Sequence, residues 1–165
     1  MLTAHLTQSK QQKGFTLIEL LVVIGILAIL LAIVLIAINP AKQFGQANDT
    51  KRHSDVNAIL NAIGAYEADH NGALPAAIPL GVDATAAKPI DNTAGDANIC
   101  ADLVPTYISL LPQDPSLASD AGVDQAGCTA AGGYSTDYTV WANSTTKVVT
   151  VNAPSAQTPP ITVTR

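Results

Sequence analysis

The sequence predicts an α+β protein. One long N-terminal helix, its first half spanning a membrane and kinked near Pro40, packs on a small antiparallel β-sheet. Three observations carry this expectation. Within the 165 residues, the run from Phe15 to Ile38 is 24 residues long and holds a single charge, Glu19. Between Asp55 and His70 a second set of apolar residues recurs at helical spacing. Near the C-terminus, Tyr134 to Trp141 and Lys147 to Val151 alternate with a period of two, the mark of half-buried strands.

The N-terminal stretch Met1 to Gly14 is polar and carries Lys10 and Lys13, with no acid before Glu19. Basic residues ahead of an apolar helix hold that end in the cytoplasm, so the rest of the chain is expected to be exported. As a helix, the run to Ile38 extends about 36 Å, enough to cross a hydrocarbon layer of about 30 Å. A secretory signal peptide has a shorter apolar run and a small-residue cleavage site after it. Here Asn39-Pro40-Ala41-Lys42 follows instead. A plain membrane anchor fits the length but gives Glu19 no purpose, although a carboxylate in hydrocarbon costs about 2.5–3.5 kcal/mol.

The segment Lys13-Gly14-Phe15-Thr16-Leu17-Ile18-Glu19 resembles the prepilin cleavage motif of type IV pilins and type II secretion pseudopilins. The resemblance implies cleavage between Gly14 and Phe15 by a membrane peptidase, and methylation of the new Phe15 amine by the same enzyme. It also implies a pilin-like fold with four parts. Residues 1–14 are a leader, 15–38 a membrane and filament-core helix, 39–70 its amphipathic continuation, and 71–165 the exported domain. The residues make physical sense of the motif. Gly14 lets a protease approach the backbone closely. Glu19 gains a partner in the Phe15 amine of a neighbouring subunit, which offsets its desolvation and sets the axial register between copies. The competing reading places Glu19 at the membrane edge among lipid headgroups.

Further along, Pro40 removes a helical hydrogen bond, so a kink or local melting is expected at Asn39-Pro40. Helical periodicity then resumes. Val56, Ile59, Leu60, Ile63 and Tyr66 fall on one stripe. Lys51 and Arg52 can pair with Asp49 or Asp55, and a solvated helix face is the expected setting for them. Asn71-Gly72 ends the helix. Ala73 to Asn98 lacks a sustained period and reads as loop, and Asp102-Leu103-Val104 as the start of a short helix. Leu111-Pro112-Gln113-Asp114-Pro115 is similar to a segment that recurs in pseudopilins. Asn143 to Thr146 supplies a turn between the two strands, and Ile161 to Arg165 reads as an extended tail.

Cys100 and Cys128 are the chain's two cysteines. A disulfide between them would close a loop worth about 3.5 kcal/mol in chain entropy, and the spacing resembles the disulfide-bounded region of many type IV pilins. Two free buried thiols are the alternative. The resemblance also raises calcium, with Asp114, Asp120 and Asp124 as weak candidate ligands, but there is no calcium-loop pattern and solvated acids are the preferred reading. No cofactor or resident metal is expected.

Catalysis finds no support. His53, Ser54 and Asp55 are consecutive on a helix and point in different directions. Phosphate-loop and metalloprotease patterns are absent. With 8 Lys and Arg against 13 Asp and Glu, nucleic acid is not expected as a bulk-charge partner. The expected function is a non-enzymatic prepilin of a type IV pilus-like filament. Its implied partners are the membrane, the prepilin peptidase and methyltransferase, the inner-membrane assembly machinery, and copies of itself or related pilins. The alternatives are a type II secretion pseudopilin, or a single-pass membrane-anchored binding protein that keeps its leader.

Overall fold

The computed structural model describes residues 14–119, 121–158 and 160–165. The leader before Gly14 and the acid Asp120 lie outside the described residues. Two compact units are present, one ending at Pro40 and the other running from Ala41 to Arg165.

Helix α1, Leu17–Ile38, is the core of the first unit. Thr16 caps its N-terminus in a reciprocal box with Glu19, and none of its residues is buried. Its mean hydropathy of 3.5 over a window with 0% burial is that of a membrane span awaiting its solvent. The expected break has a specific form. Asn39 ends α1 in the left-handed conformation, φ 47°, which asparagine tolerates better than most residues. Helix α2, Pro40–Asp69, then starts on its proline, where the missing N–H would have had no helical partner anyway.

α2 ends as the sequence predicts. Asn71 and Gly72 both take positive φ, and the Gly72 N–H returns to the Glu67 carbonyl at 2.8 Å, satisfying a terminal acceptor. The stripe Val56, Ile59, Leu60 and Ile63 is buried, with Tyr66 packed at its edge. It lies in one core with the inner sheet residues Tyr138, Val140, Ala142 and Val151.

The sheet has five strands: β1 Leu80–Gly81, β2 Lys88–Asp91, β3 Ser135–Asn143, β4 Val149–Ala153 and β5 Ile161–Thr164. β3 pairs with β4, and β4 with β5, all antiparallel. On its other edge β3 takes β2 antiparallel and β1 parallel. The sheet is therefore mixed, where a purely antiparallel one was expected. Two further expectations need correction. The stretch Ala73 to Asn98 is not all loop, because it contains β1 and β2. Lys88-Pro89-Ile90-Asp91 buries only Ile90, so no alternation shows in the sequence, and Pro89 is tolerated because β2 is an edge strand. The tail is not merely extended. Ile161 is 2% exposed and pairs with Ala153, making the C-terminus the fifth strand.

β3 buries Tyr134-side alternates as expected, with Thr136, Tyr138, Val140 and Ala142 all inward. β4 starts two residues later than predicted. Lys147 has φ 62° and belongs to the turn, where the Asn143 carboxamide oxygen accepts the N–H groups of Thr145 and Thr146, both at 2.9 Å.

Two short helices, α3 Cys100–Leu103 and α4 Gln125–Cys128, are joined by a Cys100–Cys128 disulfide, Cα–Cα 5.4 Å. Both half-cystines belong to the core. Replacing both with serine is expected to cost about 3 kcal/mol of the domain's stability. Thermal melts of the full chain in detergent check this, and an unchanged midpoint would show that packing alone holds the loop.

Candidate functional site

Two regions concentrate the chemistry. At the head of α1, Gly14 and Phe15 lie outside any helix and are exposed, Phe15 by 82%. A side chain added at Gly14 would meet nothing within 4 Å. The fold therefore does not demand glycine there, and any requirement must come from a partner that approaches this peptide bond. One residue on, Thr16 donates both its N–H and its hydroxyl to Glu19 Oε2, at 2.9 and 2.8 Å, and accepts the Glu19 N–H at 3.3 Å. The carboxylate is held over the first turn of α1, where the helix dipole favours a negative charge. Both Thr16 donors fall on the same oxygen, Oε2.

The second region is a buried ionic cluster on α2. Arg52 is only 3% exposed. Its guanidinium grips Asp114 in a two-point fork, Nε to Oδ2 at 2.6 Å and Nη2 to Oδ1 at 2.8 Å, and donates to Asp49 through Nη1 at 2.9 Å. Asp49 in turn accepts the backbone N–H groups of Gln157 and Thr158, at 3.0 and 3.1 Å. Ser116 donates its N–H to Asp114 at 2.8 Å. Burial opposes the charge on both carboxylates, yet these donors win and hold each below its ordinary value. Beside them Asp55 accepts from Lys51 at 3.0 Å and from the Tyr138 hydroxyl at 2.8 Å. Burial, then the Asp55 contact, pushes the Tyr138 phenol up. One helical turn thus ties the helix, the Pro112–Pro115 loop and the β4–β5 connection together.

This cluster corrects two expectations. Arg52 does not sit on a solvated face. Asp114, read as a solvated acid and a weak calcium candidate, is 0% exposed and spent on Arg52 and Ser116, so it is neither solvated nor available as a calcium ligand. Asp124 caps α4 through the Gly127 N–H at 2.7 Å. Among the described residues, no group of three or more His, Cys, Asp or Glu side chains is placed to hold a metal ion. The Asp49/Arg52 spacing was visible in the sequence. Their partner Asp114, 62 positions from Arg52, was not.

A capped helix with a single charge, Glu19, leading a disulfide-stapled α+β domain defines a membrane-anchored precursor of pilin type. The profile described as the prokaryotic N-terminal methylation motif matches residues 9–35. The type II secretion system core protein G of Aeromonas hydrophila is 38% identical over 108 residues, 66% of this chain and 70% of that protein. Its counterpart from Pseudomonas aeruginosa matches to the same extent. No solved structure gives a significant match. The chain belongs to the pilin and pseudopilin family. It is a structural subunit of a pilus-like filament, in a family that builds filaments rather than turning over substrates.

Proposed function

We propose that the chain is a prepilin cleaved after Gly14, methylated at the Phe15 amine, and assembled through α1 with Glu19 setting the register. The observation that carries this reading is the exposed Gly14–Phe15 junction directly ahead of a capped span with no buried residue. A membrane peptidase and methyltransferase is the processing partner. Before assembly α1 lies in lipid. Afterward the same side chains pack against copies of this chain or related pilins, in a periplasmic or extracellular filament built by inner-membrane machinery.

A second reading, subunit of a type II secretion pseudopilus, is favoured by the names of the two relatives above. The two readings share every processing step and differ in the machinery that receives the subunit.

Mass spectrometry of the native chain is the direct test, with a methylated Phe15 expected at the N-terminus. An intact Met1 to Gly14 leader would instead favour a membrane-anchored binding protein. Gly14→Leu is expected to leave the precursor uncut in the membrane, with the melting midpoint of its outer domain unchanged because a Cβ added at Gly14 meets nothing within 4 Å among the described residues. Normal processing of that variant would remove Gly14 from the site.

A further inference from the structure

The face of the sheet turned away from α2 carries a groove of 420 Å³, within the size range of small-ligand sites. Its floor is built in two registered rows. Trp141 on β3 pairs with Thr150 on β4, which pairs with Thr164 on β5. In the next row Thr139 pairs with Asn152, and Asn152 with Thr162. Ala84 and Pro160 stand at the sides. No charged side chain lines it.

The floor chemistry is specific. Trp141 is the chain's single tryptophan and supplies a broad apolar ring at one end of its row. Around it stand four threonine hydroxyls and a carboxamide, set about 4.8 Å apart across the strands and about 6.8 Å apart along them. The second row is oriented by its own contacts, Thr162 Oγ1 donating to Asn152 Oδ1 at 3.1 Å. In the first row Thr150 is 6% exposed. Its hydroxyl has no hydrogen-bond partner among the described residues, yet it is not sealed away as a buried unsatisfied atom. Thr150 as a residue is nine-tenths buried and lines the groove, and its accessible, unpaired hydroxyl is one that a ligand seated there can meet.

We propose that this groove binds a neutral saccharide. A pyranose offers what the floor lacks: an apolar C–H face for Trp141 and a ring of uncharged donors and acceptors for the threonine grid. Phosphates and acidic sugars would find no cation among the lining residues, and an extended peptide would find no free strand edge across the middle of the sheet. In a filament each copy repeats the groove, so weak single-site binding becomes strong attachment to a polymer carrying many sugars. The groove itself is complete within one chain.

Because Trp141 is the sole tryptophan, intrinsic fluorescence reads the site directly. The probes are maltotriose, cellotriose and chitotriose, titrated into the full chain in a phosphocholine detergent, since maltoside detergents are themselves neutral sugars. At least one trisaccharide is expected to shift the emission saturably. Thr150→Val, which removes the hydroxyl and keeps the shape, is expected to weaken that binding about fivefold. Thr164→Val, at an exposed position, serves as a second variant for which folding is not at stake. Co-sedimentation with insoluble cellulose or chitin separates a polymer ligand from a dissolved sugar. No saturable shift, equal affinity in both variants, or a stronger response to a sulfated trisaccharide would overturn the proposal. So would an emission shift on raising the chain concentration without sugar, which would make a second copy the occupant.

Discussion

Arg52→Ala is expected to destabilise the outer domain by about 3–5 kcal/mol, the cost of stranding buried carboxylates without their cation. The guanidinium makes three charged contacts at 2.9 Å or less, and the two acids it holds come from different parts of the chain. Removing it leaves Asp114, 0% exposed, with only Ser116. Against a typical domain stability of about 5–15 kcal/mol, that loss is enough to lower the amount of folded precursor. Melts of the full chain and its steady-state level in membranes both report it. A change under 1 kcal/mol would mean that water reaches the cluster. The double variant Arg52→Met with Asp114→Leu is expected to recover part of the loss, because an apolar pair removes the stranded charge along with the contact.

The same cluster sets the acid response. Asp49 and Asp114 titrate below their ordinary values when folded. Their stabilising contribution is therefore fully present above the unfolded carboxylate range, near pH 4, and is lost as pH falls through the folded values. Stability should hold flat from neutrality to about pH 5 and decline below about pH 4. In Arg52→Ala the decline should be shallower, since the donor that depresses both acids is gone.

What the sequence revealed and what it hid follow from the range of each interaction. α1 and the stripe of α2 are local patterns, and Asn71-Gly72 is a local stop signal, so all three were legible. β3 was legible because its four inward positions alternate without interruption. β2 and β5 were not, because a strand that buries one or two side chains has no period to detect; partners supply its stability. Arg52 shows the same limit for polar groups. Its i,i+3 neighbour Asp49 reads as an ordinary surface pair, and only the fold brings Asp114 and the N–H groups of Gln157 and Thr158 over it. At the head of α1 the motif gave the residues, while the structure adds how Thr16 and Glu19 hold each other.

That geometry sharpens the second large prediction. Glu19→Ala is expected to leave cleavage after Gly14 largely intact and to abolish filaments. Alanine removes two things at once, a helix cap worth about 1 kcal/mol and a charge. Glu19→Gln separates them. A glutamine carboxamide oxygen still accepts from Thr16, as in the usual capping box, so α1 keeps its first turn. It cannot pair with the ammonium of a methylated Phe15 from a neighbouring copy. Thr16→Ala is the converse, losing the cap and keeping the charge. If charge pairing sets the register, the glutamine variant is processed and methylated yet assembles no filaments, while Thr16→Ala assembles with reduced yield. Filaments of normal length from Glu19→Gln, seen by electron microscopy, would assign the carboxylate to capping alone. The expected outcome follows from where the donors sit: Thr16 uses only Oε2. The cap leaves the group's charge intact, shared over both oxygens, about 6 Å along the axis from Phe15. In hydrocarbon an unpaired carboxylate costs several times what the cap returns, so the drive to find the amine exceeds the drive to hold the turn.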